Sequence, residues 1–216
     1  MTVIGIILSG GIGSRMEADM PKQYMEICGK TVLSYSIEAF RRSTSIDDFF
    51  VVADSIENVK HIESTYNVKS ILGGDSRNAS FGKALDHISE NRNDCIKVIV
   101  NEVARPMITP ELIEEFVELL DGNSCVYCTK AVTDSLETIE GHYVDRENYR
   151  LVMSPEGYDF RVIKQYFSPE SETTFPGHSI PDGYSKHEYK DYINNIKITY
   201  QHDIPIIERL LSYSDM

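Results

Sequence analysis

The stretch Val3–Leu8 is an apolar run rich in β-branched residues, and it stops at Ser9 and the turn Gly10-Gly11-Ile12-Gly13. A strand with no polar face needs cover on both sides, which a sheet held between two helix layers provides. Phe49–Ala53, Val68–Leu72, Ile96–Val100 and Ser124–Tyr127 read as further short strands. Between them lie helical patterns at Thr31–Arg42, Ile56–Tyr66, Ser76–Ser89 and Pro110–Leu120. In the first, Val32, Tyr35, Ile37, Ala39 and Phe40 mark an apolar stripe behind Thr31 as N-cap. In the last, Thr109-Pro110-Glu111 supplies a cap, a first-turn proline and an acid at the positive helix end. The alternation predicts an α/β fold, Rossmann-like and doubly wound, with a mainly parallel sheet.

The pattern changes after residue 130. Val132–Ile139 and Tyr143–Met153 read as extended segments meeting near Glu140-Gly141, which predicts a β-hairpin arm at about 132–153. Ser168–Gly183, rich in Ser, Thr, Glu, Pro and Gly, reads as a mobile loop. Asn195–Thr199 reads as a short late strand and Ile204–Ser212 as a final helix. The 216 residues make one domain, 1–216, with the hairpin as its appendage.

Composition narrows the partners. Twenty-one basic against 34 acidic residues leave a net charge of −13, which argues against nucleic-acid and anionic-membrane surfaces. It leaves room for a phosphate ligand held by a local group of cations. No apolar run approaches the ~18 residues of a membrane helix. The apolar N-terminus lacks a basic region before it, so a signal peptide is a poor reading. Four cysteines form no disulfide framework, and Cys125 and Cys128 lack the second pair that structural zinc requires. Free thiols in a reduced cytoplasm are the expectation. The six histidines show no ligand spacing.

Three motifs carry chemistry. The first is Ser9-Gly10-Gly11-Ile12-Gly13-Ser14-Arg15-Met16, closed by Pro21-Lys22-Gln23. A glycine turn after a buried strand frees backbone N–H groups to face a polyphosphate, and Arg15 and Lys22 add charge to the same anion. It is not a dinucleotide fingerprint, because the third glycine would fall at Met16. Nor is Gly29-Lys30-Thr31 a P-loop ending, because Tyr24 stands where the first glycine belongs. The second motif is Gly73-Gly74-Asp75-Ser76-Arg77-Asn78-Ala79-Ser80, between a strand and a helix. There ligands bind in open α/β sheets, though a serine-capped helix start gives the same pattern. The third is Asn101-Glu102-Val103-Ala104-Arg105-Pro106. Glu102 at a strand end suits a Mg²⁺ ligand, or equally a loop acid paired with Arg105.

Taken in order, these motifs resemble the CTP-dependent polyol-phosphate cytidylyltransferases, the methylerythritol 4-phosphate and ribitol 5-phosphate enzymes. The resemblance extends to Val132-Thr133-Asp134-Ser135, Val144-Asp145-Arg146, Ser154-Pro155-Glu156 and Asn195-Ile196-Lys197, and so covers nearly the whole chain. It implies Arg15, Lys22 and Lys197 as catalytic cations. Ser9, Gly10, Gly11, Gly13 and Ser14 would hold the CTP phosphates. Gly74, Asp75 and Ser80 would recognise cytosine and ribose, with Arg77 supporting that loop. Glu102 would bind Mg²⁺. Arg105, Ser135, Arg146, Ser154 and Lys197 would bind the polyol phosphate, with Arg146 reaching across from the arm of a partner subunit in a homodimer.

The departures lie at Glu102, where the family has aspartate, at Glu156, where it has glutamine, and in the altered segment Ile180–Tyr184. The last two fall on the acceptor side. The sequence therefore favours a ribitol- or glycerol-like acceptor for surface polysaccharide, with methylerythritol 4-phosphate of isoprenoid synthesis as the alternative. A catalytically silent nucleotide-binding homologue is the reading from another class. The chemistry fits the residues: an acceptor phosphate is already anionic, so its attack on CTP needs charge neutralisation and alignment and no activated Ser, Cys or His.

Overall fold

The computed structural model describes residues 1–11, 20–190, 192 and 195–214. Arg15, Gly13 and Ser14 of the first motif lie outside them. The chain opens with β1 (Thr2–Ser9), a β2–β3 pair (Glu26–Ile27 and Lys30–Thr31), α1 (Val32–Arg42), β4 (Asp48–Ala53), α2 (Ile56–Tyr66), β5 (Ser70–Leu72) and α3 (Arg77–Asn91). It continues through β6 (Cys95–Glu102), α4 (Pro110–Leu119) and β7 (Cys125–Ala131) to the short strands β8 (Leu136–Glu137) and β9 (Tyr143–Val144). Last come β10 (Arg150–Asp159), α5 (Phe160–Tyr166), β11 (Lys186–Lys190) and α6 (Asp203–Ser214). Among the described residues seven strands share one sheet, in the order β11-β7-β10-β6-β1-β4-β5. Every neighbouring pair is parallel except those made by β10, which runs antiparallel between β6 and β7.

The apolar run at the start becomes the heart of this sheet. On β1, Val3 and Ile7 enter the core layer under α1 and α4, with Ile37, Phe40, Ile113 and Phe116. Ile4, Ile6 and Leu8 enter the opposite layer, with Phe81, Leu85 and Ile88 of α3 and Ile163 of α5. Gly5 lets α1 seat closely: a Cβ there would lie 2.3 Å from Cδ1 of Phe40. Thr31, Ser55, Ser76 and Thr109 each accept a backbone N–H at the start of α1 to α4, so local capping fixes where each helix begins.

From β1 the chain winds outward through β4 and β5. It then crosses back by α3 to β6 on the other side of β1. That reversal opens a crevice at the carboxyl ends of β1, β5 and β6.

Four expectations change in the second half. Asn195–Thr199 joins no sheet; its Ile198 N–H donates to the carbonyl of Ala104 at 2.8 Å. The late strand is instead β11, Lys-His-Glu-Tyr-Lys, whose polar sequence gives no apolar signal and whose charges suit an exposed edge. Ser168–Gly183 packs down: Phe175 and Ile180 are buried, and the Asn78 side-chain amide donates to the carbonyls of Ser171 and Thr173. The segment 132–153 holds the paired β8 and β9, but its second limb continues as β10 into the middle of the sheet.

Cys125 and Cys128 are buried in opposite core layers, and burial pushes both thiols up, Cys128 to about 12. Residues of odd spacing on a strand face opposite ways, so the pair is neither a zinc clip nor a redox couple. Phe81 is fully buried and packs against both Phe167 and Tyr158. Phe81→Ala should cost about 3–5 kcal/mol, measured as a drop in the urea midpoint; a change below about 1 kcal/mol would show this layer is not the core it looks to be.

Candidate active site

The crevice is a cleft of about 400 Å³. Leu8, Gly10, Gly11 and Lys22 line one side, Gly74, Asp75, Ser76, Arg77 and Ser80 another, and Glu102, Val103, Ala104 and Lys197 the third. Three motifs far apart in sequence thus meet in one space. Lys22 begins a 3-10 turn, Lys22–Tyr24, behind Pro21. The turn is tied down by Gln23, which is fully buried and donates its amide to the carbonyl of Ser9 at 3.2 Å. Lys22 Nζ donates to the carbonyl of Ile198 at 3.3 Å, which brings the Pro21–Gln23 end of the first motif against the segment carrying Lys197.

The second wall is built by a helix start. Ser76 caps α3, and Ser80 one turn on is buried. The Ser80 hydroxyl accepts from the N–H of Gly74 at 3.1 Å and donates to its carbonyl at 3.2 Å. The hydroxyl expected to face a cytidine therefore shapes the loop. A Cβ on Gly74 would sit 2.5 Å from that of Ala79, so the close turn of loop on helix needs glycine there. Lys83, which the sequence did not single out, pins the same loop from below, donating to the carbonyl of Gly73 at 2.7 Å.

Glu102 ends β6 with both oxygens engaged. Oε1 accepts from Arg77 Nε at 2.7 Å and Oε2 from Lys197 Nζ at 2.5 Å. Arg77 reaches on with Nη2 to Glu156 Oε1 at 2.5 Å. The Tyr158 hydroxyl donates to Glu156 Oε2 at 2.7 Å. Burial alone would raise the Glu102 carboxyl; the charges of Arg77 and Lys197 outweigh it, with Arg105 adding, and hold the group at about 2. Burial pushes Glu156 upward, against the pull of Arg77 and the Tyr158 hydroxyl.

Glu156 was expected to add charge beside an anion site; the structure places it in the sheet, 3% exposed and paired. Its partner Arg77 lies in the second glycine motif, but nothing in the sequence joins residues 79 positions apart.

The residues present do not fit a resident Mg²⁺. Each Glu102 oxygen already holds a cation, and among the described residues no three His, Cys, Asp or Glu side chains group at metal-binding spacing.

The expected acceptor residues divide. Lys197 lines the cleft. Arg105 and Ser154 are buried behind it: Arg105 Nη1 donates to the carbonyl of Asn195 at 2.8 Å, and Ser154 Oγ accepts from the Glu102 N–H at 3.2 Å. Asn195, which the sequence marked only as part of a motif, also donates to the carbonyl of Ser154 at 2.6 Å. Asn101 joins this buried set through Ser36 and the carbonyl of Arg105. Ser135 and Arg146 sit exposed in the arm and do not line the cleft of their own chain; Arg146 donates to the carbonyl of Thr133. Ser9, at the end of β1, is buried.

A carboxyl held at about 2 when folded, against about 4.3 unfolded, stabilises the fold fully above the unfolded value and loses that contribution as pH falls toward 2. Glu102→Gln should therefore lie below wild type in urea midpoint at pH 7, with the gap closing between about pH 4.3 and 2. A gap that stays constant across that window would show that the ionised carboxylate is not what the cluster relies on.

Comparison with known proteins is consistent with this geometry. The IspD family, 2-C-methyl-D-erythritol 4-phosphate cytidylyltransferase, matches residues 3–212. A protein of that description from Chlorobaculum parvum is 30% identical over 98% of this chain and 96% of its own length. One from Clostridium botulinum (strain 657 / Type Ba4) is 27% identical over 95% and 96%. Among solved structures, the 4-diphosphocytidyl-2C-methyl-D-erythritol synthase of Anaerococcus prevotii superposes with a TM-score of 0.79 at 22% identity, over 98% of this chain and 96% of that one. The bifunctional IspDF of Campylobacter jejuni superposes at 0.81 and 23%, over 95% of this chain and 54% of that one. With its three motifs meeting in one cleft and nearly its full length matched, the chain belongs to the IspD family of cytidylyltransferases, and is a nucleotidyltransferase.

Proposed function

We propose that the protein transfers the cytidylyl group of CTP to 2-C-methyl-D-erythritol 4-phosphate. One observation carries this reading: Lys22, Arg77 and Lys197, from three separate segments, converge on a cleft that also receives both glycine turns. An acceptor phosphate oxygen attacks the α-phosphorus. One P–O bond forms, the bond to the bridging oxygen breaks, and pyrophosphate leaves. The backbone of Gly10 and Gly11 faces the phosphates, Lys22 draws charge from the α-phosphate, and the Gly74–Ser80 loop seats the nucleoside. Lys197 neutralises the incoming phosphate. Aligned cations of this kind lower the barrier by stabilising charge as it shifts to the leaving group. Any Mg²⁺ in the reaction would arrive as part of the CTP substrate, where it would offset phosphate charge.

The relatives' descriptions support methylerythritol 4-phosphate as acceptor. The sequence favours a ribitol- or glycerol-like acceptor partly because Glu156 adds negative charge. That ground weakens once Glu156 is seen paired with Arg77 inside the sheet. The arm supports a homodimer: Ile139, Tyr143, Tyr149 and Leu151 are all exposed on it. In such a dimer the arm of one subunit carries Arg146 to the acceptor side of the other's cleft.

Pyrophosphate release from CTP and Mg²⁺ should be seen with 2-C-methyl-D-erythritol 4-phosphate. Turnover confined to ribitol 5-phosphate or glycerol 3-phosphate would replace the acceptor, and CTP binding with no turnover would refute the reading. Lys22→Ala should cut kcat by about 10²–10³-fold; a rate near wild type would remove Lys22 from the reaction. Arg146→Ala should raise the KM for the acceptor at least about tenfold, the loss of one charge-assisted contact, and leave CTP affinity nearly unchanged. Collapse of CTP binding instead would place Arg146 elsewhere.

A further inference from the structure

We propose that Glu156 is a positioning residue for the transfer: by sharing Arg77, it leaves Glu102 enough charge to hold Lys197 at the cleft. The inference rests on the cytidylyltransferase reading and deepens it. The observations form a chain of alternating charge, Glu156–Arg77–Glu102–Lys197, joined at 2.5, 2.7 and 2.5 Å. Its first member is 3% exposed, and its last lines the cleft.

Glu156 enters this chain as an anion. One oxygen accepts from Arg77 Nη2 and the other from the Tyr158 hydroxyl. The guanidinium only donates and stays charged, and at 2.5 Å it opposes, together with the Tyr158 hydroxyl, the burial that favours a neutral acid. The two carboxylates and two cations of the chain itself sum to zero formal charge, with Arg105 behind them; the Glu156 end is closed to water and the Lys197 end opens on the cleft. Replacing Glu156 by a neutral group leaves Glu102 to face Arg77 and Lys197, with Arg105 behind, without a second carboxylate to share Arg77. A guanidinium can turn two parallel N–H groups on one carboxylate, whereas an ammonium is a single point of charge. Arg77 therefore takes Glu102, and Lys197 loses its hold. The strand that carries Glu156 grips Glu102 a second time, since Ser154 Oγ accepts the Glu102 N–H. Strand β10 thus sets both the backbone and the charge of the residue that aims Lys197.

The test is Glu156→Gln, which keeps shape and removes charge, combined in a cycle with Lys197→Met. Rates are read as single turnovers, with enzyme in excess, so that slow variants stay measurable. Glu156→Gln should lower the rate about 10–100-fold, the scale of a displaced catalytic group, with CTP affinity within about twofold. In the Lys197→Met background the same change should alter the rate less than about twofold, because the group it acts through is gone. Tyr158→Phe, which keeps the charge and removes one donor to Glu156, should give a smaller loss that also vanishes in that background. Equal losses with and without Lys197, or a loss that follows CTP affinity, would overturn the proposal. Wild-type protein that binds CTP and turns over no polyol phosphate would overturn the function and this inference together.

Discussion

The guanidinium of Arg77 stands between two carboxylates, the half-buried Glu102 on β6 and the buried Glu156 on β10. Much of the site is arranged around that bridge. Arg77 is the first residue of α3, so it belongs to the loop expected to hold the nucleoside. Glu102 ends the strand beside β1, and Lys197 hangs from it. Desolvating charged groups is expensive, and an ion network that is buried at its Glu156 end is weak grounds for added stability. Taking away one partner alone is the severe case, about 3–5 kcal/mol, because an uncompensated charge stays behind. What the arrangement supplies is direction. Side chains from three segments are held in one relation to each other and to the cleft.

The sheet makes this possible through its one antiparallel strand. β10 leaves the arm, passes between β7 and β6, and delivers Ser154 and Glu156 beside the end of β6. A purely parallel sheet would reach that position only through another crossover helix. The same strand therefore ties the exposed arm to the buried face of the site. The crossover through α3 sets the other half, bringing the loop at Gly74–Ser80 into one cleft with Gly10 and Gly11.

The two glutamates that depart from the family pattern prove to be a single feature. Read separately, Glu102 adds a methylene to a metal ligand and Glu156 adds charge near an anion. In the fold both answer to Arg77, and neither projects unpaired charge into the cleft. A departure in sequence can thus be an internal compensation, and here it says less about the acceptor than about how the site is braced.

Strand and helix order as far as β7, the caps Thr31, Ser76 and Thr109, and the places of the two glycine turns were legible in the sequence. The interactions responsible for them act within a few residues, as Thr31 on Ser34 and Ser76 on Ala79 illustrate. The strand Lys186–Lys190 was not legible, since an edge strand bears no apolar pattern, and Asn195–Thr199 had the composition of a strand without a sheet to join. The motifs named the groups that gather at the cleft, but not what each one holds. That Glu102 grips Lys197, that Ser80 closes on its own loop and that Glu156 is an internal counter-charge depend on contacts between segments distant in the chain. Strand order and the reversed run of β10 create those contacts, and neither is encoded in any local stretch of residues.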